Sequence, residues 1–128
     1  MIIQKTVGNI DIDLVLNKQI GIIRGNSGTG KSYLFYLLLS LYMDNAIIIN
    51  HEDLTNSRVD KIIQNKYKLI LLDDADLYLT ADMLKEYRHF ADNILIAMHN
   101  PYNLEGVEFE LLYSIFVGHK IIVRESYE

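Results

Sequence analysis

Cysteine is absent from the 128 residues, which excludes disulfide frameworks, thiol nucleophiles and thiolate metal sites. Proline occurs once, as Pro101, and there is no low-complexity tract or repeat. No linker or boundary is therefore visible, and residues 1–128 read as one domain. Positive charge is scarce: 12 Lys and Arg stand against 17 Asp and Glu, a formal net charge of −5. The basic residues mark no patch, so the chain carries no clear footprint for nucleic acid. Long apolar runs are missing too. The longest, Tyr33 to Met43 interrupted by Ser40, is too short to span a bilayer. The start, Met1-Ile2-Ile3-Gln4-Lys5-Thr6, lacks a signal-peptide pattern. The expectation is a cytoplasmic protein, and a hydrophobic content of 50% suffices for one real core.

What is present centres on Gly25-Asn26-Ser27-Gly28-Thr29-Gly30-Lys31-Ser32. The apolar run Ile20–Ile23 precedes it and Tyr33–Leu39 comes after, so the order reads strand, glycine-rich turn, helix. The stretch fits G-x-x-x-x-G-K-[ST] at every fixed position. Glycines let successive backbone N–H groups converge on a phosphate chain, and the helix N-terminus adds partial positive charge. In that pattern Lys31 reaches the β- and γ-phosphates and the Ser32 hydroxyl holds Mg2+. A Gly/Ser-rich turn matching by chance is the plain alternative, and the flanking strand and helix argue against it.

Taken in order, Ile2–Val7 and Ile10–Leu16 read as short strands around Gly8-Asn9. In the second, Ile10, Ile12 and Leu14 alternate with Asp11 and Asp13. The alternation implies an N-terminal hairpin with a solvated polar face. A helix is expected from Lys31 to about Met43, apolar nearly all round and hence buried on more than one side. Ala46-Ile47-Ile48-Ile49-Asn50 reads as a buried parallel strand leading to His51-Glu52-Asp53. Ser57 can cap a short helix to about Asn65. Thr80 can cap another, with Met83, Leu84, Tyr87, Phe90 and Ala91 at helical spacing and Asn93 as its end. Ile94–Met98 is a further buried strand ending in His99-Asn100-Pro101, and Tyr113–Val117 and Lys120–Val123 form a hairpin about Gly118-His119. Phe109–Leu112 is open between helix and strand. Strands alternating with helices predict an α/β fold with a mainly parallel sheet and antiparallel hairpins near both termini.

The second chemical landmark is Leu69-Ile70-Leu71-Leu72-Asp73-Asp74, four bulky apolar residues and then two acids. Buried residues fix such a strand and deliver the acids at the sheet edge where a nucleotide's magnesium sits. Asp73 is placed on the ion, directly or through water. Asp74 stands near the γ-phosphate, where it can orient or deprotonate an attacking water. The plain alternative is two surface acids opening a loop.

Together, Gly25–Ser32 and Leu69–Asp74 resemble the Walker A and Walker B motifs of the P-loop NTPase superfamily. The resemblance implies a three-layer α/β sandwich, binding of ATP (or another NTP) with Mg2+, and hydrolysis that is slow alone and coupled to a protein partner or self-association. The order of elements, and an acid after the magnesium-binding aspartate, are similar to the division with an additional central strand, which includes the AAA+, RecA-like and ABC groups. Antiparallel strands before the loop look like the ABC and recombination-type members. There, the strand ending Ile94–Asn100 implies a switch role for His99 at the γ-phosphate. An AAA+ reading makes Asn100 the sensor instead.

The chain departs from these families in several ways. It has no L-S-G-G-Q signature and only Gln64 to match against the coupling glutamine, and neither a helical subdomain nor an AAA+ lid is expected within its 128 residues. Asp74 also replaces the usual Glu, which bears on hydrolysis more than on binding. A non-hydrolysing regulatory module is the alternative from a different class. A small phosphotransferase ranks below both, because the chain has no Arg-rich insert. His51 and Glu52 could supply a base, though a capping or solvated role suits them better. Arg58, Arg88 and Arg124 are candidate arginine fingers, each with an ordinary surface charge as its plainer reading. Arg24 is expected to point away from phosphate. No N/T-K-x-D signature specifies guanine, so ATP is the default.

Overall fold

The apolar pattern of the strands changes across the molecule, and the architecture reflects that change. Ile20–Ile23, Tyr67–Leu72 and Ala91–Ala97 carry bulky apolar residues at successive positions, as strands covered on both faces do. Ile2–Val7 and Ile10–Val15 alternate instead, as strands covered on one face do. The computed structural model describes residues 1–24, 31–50, 52 and 65–126. In chain order these give β1 (Ile2–Val7), β2 (Ile10–Val15), β3 (Ile20–Ile23), α1 (Lys31–Tyr42), β4 (Ala46–Ile49), β5 (Tyr67–Leu72), α2 (Ala81–Tyr87), β6 (Ala91–Ala97), β7 (Glu110–Val117) and β8 (Lys120–Glu125). Short 3-10 turns lie at Met43–Asn45, Ala75–Leu77 and Pro101–Asn103. Among the described residues no helix is long and apolar enough to cross a membrane.

The strands form one eight-stranded sheet in the order β1-β2-β8-β7-β3-β6-β5-β4. The β1–β2 and β7–β8 ladders are antiparallel. The β2–β8, β3–β6, β3–β7, β4–β5 and β5–β6 ladders are parallel. Gly8 (φ 63°) and Gly118 (φ 60°) supply the left-handed backbone that the two tight hairpin turns require. The β2–β8 ladder joins the two ends of the chain, with Asp11 N–H donating to the His119 carbonyl at 2.7 Å.

The two faces of the sheet carry separate cores. On one, Leu34, Phe35 and Leu38 of α1 pack with Leu14, Leu16, Ile23, Leu69, Leu71, Leu95 and Val123. On the other, Leu84 and Tyr87 of α2 pack with Ile22, Ile70, Leu72, Ile94 and Ile96. Among the described residues no helix covers the second face beyond β7. There Arg124 Nη2 sits 2.7 Å from Asp13 Oδ2, and Arg124 Nη1 donates to the Asp13 carbonyl at 3.0 Å. The Arg124 hydrogen bond holds the Asp13 carboxyl below the usual range, against burial that pushes it up. Arg124 is thus tied to a strand within the chain, and Arg58, the other candidate finger besides exposed Arg88, lies outside the described residues.

Two expected boundaries are corrected. The helix capped by Thr80, whose side chain accepts from Met83 N–H, ends at Tyr87 and not at Asn93. Ala91 and Asn93 belong to β6, because pairing of Tyr67 with Ala91 and Leu69 with Asn93 extends the ladder into residues of helical spacing. The ambiguous Phe109–Leu112 stretch enters β7 at Glu110, where its register against Gly21 begins. The helix expected from Ser57 lies outside the described residues, as do Gln64 and His51.

Gly21 lies where the α1-side core closes over the backbone. A Cβ there would fall 2.5 Å from Leu16 Cδ1 and 2.8 Å from Leu112 Cδ1. Gly21→Ala is expected to destabilise the fold by about 1–3 kcal/mol through overpacking. Chemical denaturation measures this, and an unchanged midpoint would show that the site has room.

Candidate functional site

Parallel pairing puts the C-terminal ends of β3, β6 and β5 side by side at one sheet edge. Ile23 lies opposite Ala97, and Leu72 lies opposite Ile96, with β6 between the other two strands. The residues just beyond each strand are therefore brought together in space. β3 leads towards Lys31 and Ser32, β5 leads to Asp73, and β6 leads to His99. Gly25, Asn26, Ser27, Gly28, Thr29 and Gly30, the expected cradle, lie outside the described residues.

Asp73 is held firmly. Its N–H donates to the Ile49 carbonyl at 3.0 Å, which continues the β4–β5 ladder past the last strand residue. The Tyr78 hydroxyl lies 2.8 Å from the Asp73 carbonyl and 3.0 Å from that of Ile49, so it clamps the same point. The carboxylate faces two ways: Oδ1 accepts from the Asp74 N–H at 3.0 Å, and Oδ2 accepts from Ser32 Oγ at 3.0 Å. That last contact joins residues 41 apart in sequence. Ser32 and Asp73 are thus brought together at the edge.

Lys31 is only 8% exposed. Burial lowers its pKa, and the negative charges of Asp76, Asp73 and Asp74 oppose that shift. Lys31 is thus a largely buried ammonium in the field of three carboxylates at the sheet edge. Among the described residues no three His, Cys, Asp or Glu side chains cluster as a ready-made metal site. A magnesium ion needs no such cluster, since it commonly keeps waters and substrate phosphates and takes only one or two protein ligands. Neighbouring oxygens in its octahedron lie about 3 Å apart, the spacing observed between Ser32 Oγ and Asp73 Oδ2. The residues present fit that ion.

Asp74 adopts left-handed backbone (φ 50°, ψ 41°), a conformation open to aspartate more than to most residues. The chain therefore doubles back at once into the Ala75–Leu77 turn, and Asp76 swings over the end of β6. Its Oδ2 accepts from the His99 N–H at 2.8 Å and lies 3.0 Å from His99 Nδ1, while Oδ1 accepts from the Asn100 N–H at 3.0 Å. The His99 side chain is 57% exposed. Asp76 belongs to neither sequence motif, although it stands two residues beyond Asp74 and one turn past Asp73. A signal exists in its i+3 spacing from the first acid after the strand, which one 3-10 turn brings back to the same edge.

The chain is 34% identical over 91 residues, 70% of its length, to a protein of Rickettsia typhi named as a putative export ATP-binding/permease protein. The chain spans 15% of that protein's length. No protein-family model matches the chain.

The Asp76 carboxyl is pushed up by burial, but hydrogen bonds from the backbone of His99 and Asn100 and from the His99 ring outweigh this and lower it overall. A carboxyl depressed in the folded state contributes stability above its unfolded pKa of about 3.9, and that stability is lost as pH falls through the folded value. Asp76→Asn is therefore expected to flatten the loss of stability between about pH 5 and pH 2. Denaturation midpoints across that range test it; parallel curves for the two proteins would mean that the hydrogen bonds contribute nothing in solution.

Proposed function

We propose that the chain binds a nucleoside triphosphate, ATP by default, with Mg2+ at the edge formed by the ends of β3, β6 and β5, and hydrolyses its γ-phosphate. The contact between Ser32 Oγ and Asp73 Oδ2 carries this reading. It joins the last residue of a G-x-x-x-x-G-K-[ST] stretch to the first acid after a buried strand, at a spacing that suits magnesium. Buried Lys31 beside those acids supports it, as does the similarity to a protein named for ATP binding. In this reading the described sheet, with α1 on one face and α2 on the other, is the core of a three-layer P-loop sandwich. β6 is its additional central strand.

Residues 25–30 and Lys31 hold the phosphate chain, Ser32 and Asp73 hold the ion, and Asp74 and the end of β6 address the attacking water and the γ-phosphate. Hydrolysis is slow alone and coupled to a protein partner or a second copy. A regulatory module that binds without turnover is the second reading. The observation favouring it is the shorter acid, Asp74, on a left-handed turn at the place of the catalytic carboxylate.

A nucleotide that binds only the folded state at 100 times its Kd stabilises the protein by about 2.7 kcal/mol. Magnesium–ATP is expected to raise the melting temperature of the wild type accordingly, and Lys31→Ala is expected to lose most of that gain while keeping its circular dichroism. Equal shifts for the two proteins would remove the phosphate-binding reading. Phosphate release separates hydrolysis from binding alone.

A further inference from the structure

We infer that Asp76 is a positioning residue for His99: it pins the end of β6 to the turn after β5 and fixes the imidazole with its proton on Nδ1. The inference rests on the proposed nucleotide site for its consequence, and on the hydrogen bonds alone for its geometry. One carboxylate receives three donors from two consecutive residues, the His99 N–H, the Asn100 N–H and the His99 ring. Two backbone bonds fix where the strand end lies, and the ring contact fixes how the imidazole is turned. The negative charge of Asp76 also acts on Lys31, raising its pKa against burial, so one carboxylate influences both the ammonium and the histidine.

The chemical consequence lies in donor and acceptor roles. An ionised carboxylate only accepts, so the ring nitrogen that faces it at 3.0 Å must carry hydrogen. In the neutral ring this leaves Nε2 with its lone pair. His99 in that form cannot donate a hydrogen bond to a phosphate oxygen from Nε2. It can instead accept a proton there, as in dyads where a carboxylate orients a histidine base. The balanced step is attack of a water oxygen on the γ-phosphorus, cleavage of the bond to the β-phosphate oxygen, and transfer of the water proton to His99 Nε2. The diphosphate leaves with the bonding electron pair. The lowered Asp76 carboxyl agrees with an acceptor that stays ionised. Asp74, on its left-handed turn, then serves to bring Asp76 into place as well as to face the site.

Two arms test this. In the 15N-labelled full chain without nucleotide, long-range 1H–15N correlation at a pH where the ring is neutral is expected to report His99 protonated on Nδ1. In Asp76→Ala the ring is expected to move towards the Nε2–H form. Asp76→Asn, which keeps the shape but loses one acceptor, serves if the alanine variant does not fold. A wild-type ring protonated on Nε2, or a tautomer indifferent to Asp76, would overturn the positioning role. In the kinetic arm, Asp76→Ala is expected to lower kcat by about 10–100-fold, as loss of an orienting partner does, with KM changed far less. Adding it to His99→Ala is expected to cost no further rate. Losses that multiply in the double variant would overturn the dyad as a unit. If the wild type releases no phosphate, the proposed hydrolysis fails on that measurement, while the tautomer still decides whether Asp76 positions His99.

Discussion

Everything at the candidate site depends on parallel register. A parallel sheet ends all its strands at one edge, and each strand hands the next residue to that edge. Because Ile23, Ala97, Ile96 and Leu72 share the last rungs of the β3–β6 and β6–β5 ladders, the residues beyond them emerge together. The Asp73 N–H bonds to Ile49, which carries the ladder one step further, so the carboxylate starts from a fixed backbone rather than a loose loop. The two-sided apolar core is what holds this register. A slip by one residue would turn Ile70 and Leu72 from the α2 side to the α1 side, against the packing of both faces.

The site combines side chains of opposite demand. Lys31 is buried, which disfavours its charge and lowers its pKa, and the negative charges of Asp76, Asp73 and Asp74 offset only part of that. Two of those carboxylates are themselves committed: Asp73 to Ser32 and to the Asp74 N–H, and Asp76 to the end of β6. In the proposed reading, an incoming phosphate and its cation replace existing bonds of this network rather than create a site from nothing. Such preorganisation lowers the cost of ordering at the moment of binding.

Strand composition was legible in the sequence because it depends on local pattern, and so was the meeting of Ser32 and Asp73 at one sheet edge, while Gly25–Gly30 lies outside the described residues. Buried β3 and β5 show as unbroken apolar runs, and the hairpins show through alternation and glycine turns. Features that were not legible depend on contacts between distant residues. Ala91 and Asn93 fit a helical face as well as a strand, and only the facing Tyr67 and Leu69 decide between them. The β2–β8 pairing, and with it the Asp13–Arg124 bond, joins the two ends of the chain and leaves no local trace. Asp76 matters only because Asp74 adopts left-handed backbone, a choice that the sequence permits but does not announce.

If Ser32 and Asp73 form one magnesium–nucleotide site, the ion and the nucleotide must bind together. The most direct measurement is the affinity of the full chain for ATP with Mg2+ and with Mg2+ removed by a chelator, in the wild type and in Asp73→Ala. Magnesium is expected to tighten binding by about tenfold or more in the wild type, about 1.4 kcal/mol, and to have little effect in Asp73→Ala. Magnesium dependence of equal size in both proteins would contradict the shared site.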